Sequence, residues 1–199
     1  MPKVSLVSLL FVVTVFWPQT VLSQTRDPEG DTGGYSGNSD EHDGPGDEGR
    51  SGLRHSDQVV ARLNSISALC EGADIYVIDC LAERLETLER EMSGLVGFGD
   101  ARRIFRDTAA QLRAITQNNL DPNQPRARMQ SRDGRLRSAR PLTAVTPARK
   151  RQAISQAVAV LAEAETQLLR SGEASSRRAV QYQQIAAALG SNKVLLRSV

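Results

Sequence analysis

Residues 78–92 read IDCLAERLETLEREM, in which Ile78, Leu81, Leu85, Leu88 and Met92 recur at alternating intervals of three and four. That spacing places five apolar side chains on one stripe of a helix and rules out the period of two that a half-buried strand requires. The other positions of the stretch carry Glu83, Arg84, Glu86, Glu89, Arg90 and Glu91, which read as a solvated face laced with local ion pairs. Gly94 and Gly97 end the element.

Working towards the N-terminus, Val59, Leu63, Ile66 and Cys70 define a shorter amphipathic helix, and Glu71-Gly72-Ala73-Asp74 separates it from the first. Towards the C-terminus, a helix from Asp100 places Ile104, Phe105, Thr108, Leu112 and Ile115 inward and stops before Asn118-Asn119. Thr146-Pro147 is a helix start, with threonine as the cap and proline at the first helical position, where its missing N–H is no loss. Ile154, Ala157, Val158, Leu161 and Leu168 follow, and Gly172 closes that helix. A fifth, alanine-rich helix is expected over residues 174–189 with Tyr182, Ile185 and Leu189 inward, leaving residues 191–199 as a tail. Aromatic residues make up only 4% of the chain, so the core must be aliphatic, which favours helices over a sandwich or barrel. The expected fold is therefore all-α: a small antiparallel bundle of about five helices spanning residues 57–190.

Two segments precede it. Lys3 is followed by an apolar run of about 14 residues, short of the roughly 20 needed to span a bilayer. Pro18-Gln19-Thr20 and Val21-Leu22-Ser23 come next, so residues 1–23 read as a signal peptide cleaved between Ser23 and Gln24. Residues 24–56 hold eight glycines and eight acidic residues against one aliphatic side chain, Leu53, and read as a disordered acidic linker. Their spacing matches neither the EF-hand loop nor the glycine-rich calcium nonapeptide. Arginine outnumbers lysine 22 to 3, as in proteins of GC-rich bacterial genomes, so export implies the periplasm or secretion.

The export signal bears on Cys70 and Cys80. Ten residues of straight helix would hold them about 15 Å apart, so a bridge requires the chain to reverse between them, and Gly72 offers the place. An oxidising compartment favours a disulfide pinning the first two helices, the other reading being two buried thiols.

No cofactor or metal constellation is present. His42 and His55, the only histidines, fall in or beside the linker, which leaves the folded part without material for histidine-dependent nucleophilic catalysis. Paired-carboxylate chemistry remains formally open through Glu83, Glu86, Asp107, Glu163 and Glu165, and a hydrolase with its site in an interhelical cleft is the alternative function. The outlying feature is charge. Residues 126–151 contain nine basic residues against Asp133 alone, in a chain whose net charge is +2. The Arg/Pro-rich connection 120–146 is long for a bundle, lacks apolar periodicity and is expected to be exposed and mobile. Arg132, Arg135, Arg137 and Arg140 are its candidate anion contacts, with an anionic envelope lipid or an acidic protein face as partner. Nucleic acid is disfavoured because no aromatic residue interleaves with the arginines to stack on bases. The expected function is that of a non-enzymatic binding or structural protein of the cell envelope.

Overall fold

The computed structural model describes residues 55–173 and 175–199; the segments expected to be a signal peptide (1–23) and an acidic linker (24–56) lie outside the described residues but for the last two positions. Five α-helices follow one another: α1 (Ser56–Cys70), α2 (Val77–Glu91), α3 (Gly99–Asn118), α4 (Lys150–Gly172) and α5 (Ser176–Arg197). Among the described residues there is no β-strand, and no helix is long and apolar enough to cross a membrane.

The apolar stripes read from the sequence form the core. Val59, Leu63, Ile66 and Cys70 of α1 and Ile78, Leu81, Leu85 and Leu88 of α2 are buried, together with Met92 just beyond. Each helix packs on the next, α1 on α2 through to α4 on α5, and α5 returns to α1, so the five close a ring around one shared core. The aliphatic composition is visible in α4, whose inward stripe is Ala153, Ala157, Leu161, Ala164 and Leu168. Ile154 and Val158 flank that stripe only partly buried. Small side chains let α5 approach closely. A Cβ at Gly172 would lie 2.9 Å from the Cβ of Tyr182, closer than two carbons tolerate, so the α4–α5 corner requires glycine. Tyr182 in turn stacks on Phe98, with ring centroids 5.6 Å apart, beneath the Arg178 guanidinium, which pairs with Asp100 at 2.7 Å.

The chain reverses between α1 and α2 as the cysteines demand. Gly72 adopts φ +78°, a conformation that costs other L-residues about 1 kcal/mol or more. Cys70 and Cys80 come to a Cα separation of 5.8 Å and are bonded, both fully buried. Closing so short a loop contributes on the order of 2–3 kcal/mol. The double variant Cys70→Ser/Cys80→Ser is expected to melt several degrees lower with its helicity intact. Native protein whose thiols react with an alkylating reagent before reduction would contradict the bond.

Two helix ends differ from the sequence reading. The Thr146 hydroxyl caps nothing and has no partner; a single turn of 3₁₀-helix, Pro147–Arg149, precedes α4, and the Thr146 carbonyl accepts its first bond from Arg149 N at 3.0 Å. At the other end, the expected tail is the continuation of α5 to Arg197, which buries Leu195 and Leu196. Asn192, also fully buried, makes the extension worthwhile by donating to the carbonyls of Leu63 and Ala188 at 3.4 and 3.1 Å, tying α5 to α1.

The largest departure is the connection between α3 and α4. It is exposed over much of its length, as expected, but it is not irregular: it is an arm that doubles back on itself. Antiparallel bridges link Leu120 to Val145, Ala127 to Leu142 and Gln130 to Arg137, and Leu142, Ala144 and Val145 are buried. The arginines dominate its composition, yet these three apolar residues near its base help to seat it.

Candidate functional site

On α2, Asp79, Glu83 and Glu86 stand at i, i+4 and i+7 and so share one face of the helix. The arm lies across this face. Both terminal nitrogens of Arg140 donate to the Asp79 carboxylate at 2.7 Å, and the Thr143 amide donates to the same carboxylate at 2.7 Å. Asp79 is only 2% exposed, so its charge is tolerable because a forked guanidinium and an amide replace the lost water. The same hydrogen bonds to Asp79 push the Arg140 guanidinium further up its already basic range. One turn on, Glu83 accepts from Ala139 N at 3.0 Å, Thr87 Oγ1 at 3.2 Å and Arg84 Nε at 2.6 Å. Glu83, expected on a solvated face, is 1% exposed. The face is polar because it meets the arm's backbone and arginine, not because it meets water.

Further anchors of the arm fall within the nine residues between the two cysteines. Val145 N donates to Ile75 O at 2.9 Å, Tyr76 Oη donates to Pro125 O at 2.8 Å, and Arg132 approaches Glu71 at 3.3 Å. Lys150, where the arm enters α4, pairs with Asp74. The ring closed by the disulfide is thus the platform on which the arm docks.

The candidate arginines divide into two groups. Arg140 is drawn inward, its side chain 29% exposed and held by Asp79. Arg132, Arg135 and Arg137 are exposed at the arm's tip, the first two with side chains 87% and 86% accessible. The tip is built on Asp133, whose carboxylate accepts from Ser131 Oγ at 2.6 Å and from Arg135 N at 3.2 Å. The Ser131 bond, then the Arg135 amide, hold that carboxyl below its usual range.

Of the carboxylates considered for catalysis, the structure brings two together. Glu83 and Glu86, with Glu89, line a cleft of about 330 Å³ between α2, α3 and the arm, whose remaining walls are Arg90, Arg106, Ala139 and Arg140. Asp107 lies on α3 beside Arg106 at 3.6 Å, while Glu163 takes Gln167 as its neighbour and Glu165 pairs with Lys193, all away from this cleft. Glu86 pairs with Arg113, and Glu89 accepts from Arg102 at 2.7 Å. Every carboxylate of the cleft therefore already has a guanidinium. Among the described residues no group of three or more histidine, cysteine, aspartate or glutamate side chains is arranged to hold a metal ion.

In the sequence the acidic stripe 79, 83, 86 repeats at helical spacing, a pattern that a solvated face and a face under a basic arm share. Comparison with protein families, with curated proteins and with solved structures returned no match to the chain.

Proposed function

We propose that the chain is an exported, non-enzymatic binding module of the cell envelope that meets an anionic lipid surface through the tip of its arm. The observation that carries this reading is the division among the arginines. Arg140 spends its charge on Asp79, whereas Arg132, Arg135 and Arg137 project into solvent, Arg132 with an exposed pair to Glu71 at 3.3 Å and Arg135 with one to Asp133 at 3.8 Å. A tip seated in this way loses less conformational freedom on binding than a disordered loop would. An acidic protein face is the alternative partner. The competing hydrolase reading has Glu83 and Glu86 in a cleft to recommend it, but both oxygens-bearing groups are engaged by arginine and amide donors that a general acid or base would have to shed.

Each arginine near an anionic bilayer contributes about 1 kcal/mol, so Arg132→Ser/Arg135→Ser/Arg137→Ser should weaken binding to vesicles containing anionic lipid roughly a hundredfold. Wild-type binding should fall steeply between 50 and 300 mM salt, concentrations chosen to bring the screening length from about 14 to about 6 Å. Vesicle co-sedimentation measures both. Association that ignores salt and the triple substitution would overturn the proposal, and so would no association at 50 mM salt.

A further inference from the structure

A helix on the outside of a bundle normally turns charge to the water, as α3 does with Arg103, Arg106, Asp107 and Arg113. The outer face of α5 departs from that rule. It carries Val180, Gln184, Ala187, Ser191 and Val194, all exposed among the described residues and none charged, with the two valines 56% and 66% accessible. Their spacing alternates between four and three, and Ser198 continues it just past the helix. This is the period of a seam between two helices, where each side chain of one fits among four of the other.

The adjacent helix repeats the pattern. Asp57, Ala61, Asn64 and Ala68 of α1 are exposed at intervals of four, three and four, with a single charge, that of Asp57. The two helices run side by side in the same direction. One cavity of about 520 Å³ in the groove between them is lined by Asp57, Val60 and Asn64 against Gln184, Ala187 and Ala188, and the next, of about 560 Å³, by Ala68 and Glu71 against Val194 and Ser198. Asp57 is thus level with Gln184, and Glu71 with Ser198. The midpoint of the α1 stripe, between Ala61 and Asn64, then lies beside the midpoint of the α5 stripe, between Ala187 and Ser191.

We infer that the α1–α5 face is a self-association surface whose occupant is a second copy of this chain, related by a two-fold axis through that common midpoint and perpendicular to both helices. Such an axis lays α5 antiparallel on α5 of the second copy and α1 antiparallel on its α1. Ala187 meets Ser191 of the other copy, Val194 meets the hollow beside Gln184, and Asp57 meets Ala68 rather than another acid. One stripe alone would accept many helices; two stripes that share a centre are complementary to themselves, as an isologous interface has to be. The chain's own residues 24–54 are a poor occupant, since Tyr35 and Leu53 are their only aromatic and aliphatic side chains. The face runs about 27 Å along α5 and two helix diameters across, roughly 500 Å² on each copy and about 1,000 Å² in all. That is the small end of specific interfaces and implies a reversible, micromolar dimer. The surface is distinct from the arm's tip and does not depend on the membrane reading.

Sedimentation velocity of the full mature chain, from about 1 to about 500 µM to bracket a micromolar Kd, tests the assignment. The mass should rise from one chain to two across that range. Val194→Glu and Ala187→Glu place a charge at exposed positions outside the core, so each should weaken dimerisation about thirtyfold or more and leave the melt of the dilute protein unchanged. Val96→Glu, at a valine 93% exposed between α2 and α3, should dimerise as the wild type does. For the direction, an oxidised mixture of Ala187→Cys and Ser191→Cys should cross-link one variant to the other far more than either to itself. A monomer throughout the range, a dimer indifferent to both α5 glutamates, or cross-linking of each cysteine only to its own kind would overturn the proposal.

Discussion

Leu85→Asp is expected to leave the protein without a cooperative unfolding transition. Leu85 sits midway along α2 at 1% exposure, within the core shared by all five helices. Removing a buried leucine side chain costs about 2–5 kcal/mol, and an unpartnered carboxylate in its place adds several more. The sum matches or exceeds the total stability of a typical domain, about 5–15 kcal/mol. Circular dichroism during thermal melting measures the effect. Glu86→Gln is the contrast one residue away. It removes one charge from the partly exposed pairs with Arg113 and Arg140, should cost about 1 kcal/mol or less, and should keep a native melt. A cooperative, near-native transition for Leu85→Asp would mean that α2 does not pack by the face described.

Asp79→Ala should have the second-largest effect, about 3–5 kcal/mol, and its character should differ. It strands the half-buried Arg140 guanidinium and the Thr143 amide, whose acceptor is Asp79 alone among the described residues. The helices keep their own core, so the loss falls on the arm. Amide exchange over residues 139–145 should accelerate far more than over α4. The companion Arg140→Leu removes the guanidinium but leaves Asp79 with the Thr143 amide, and should cost a similar amount. Uniform acceleration through α1–α5, or no change in the arm, would show that the Asp79 pair does not seat it.

The helices were legible because their information is local. A stripe such as 78, 81, 85, 88, 92 repeats within one element and needs no partner to be recognised. The disulfide was legible for a related reason: a ten-residue separation leaves few geometries, and Gly72 marks where the chain can reverse. The arm was not, because its order comes from residues 61 positions away. Nothing near Arg140 in the chain indicates Asp79, and a bare count of arginines suggested an exposed, mobile loop where the fold supplies a matching acidic face. Glu83 was misplaced by the same blindness, since a glutamate under an arm and a glutamate under water share one sequence context. The Thr146 cap failed differently: proline at the next position was read correctly, but the hydroxyl turned away and a 3₁₀ turn satisfied the end instead.

The doubled-back path of the arm has a consequence for its integrity. Its tip exposes Arg132, Arg135 and Arg137, cleavage sites for a trypsin-like protease. A cut there severs the chain between α1–α3 and α4–α5 with no disulfide spanning the break, since both cysteines lie on the N-terminal side. Yet the two pieces remain joined along the base of the arm. The Ala127–Leu142 pair exchanges bonds at 3.1 and 2.7 Å, Asp121 N reaches Ala144 O at 3.0 Å and Thr146 N reaches Asn119 O at 2.9 Å. Beneath them Arg140 still grips Asp79 across the nick, and α3 still packs on α4. A cut at this turn is therefore expected to convert one polypeptide into a non-covalent pair of fragments, rather than into an unfolded chain.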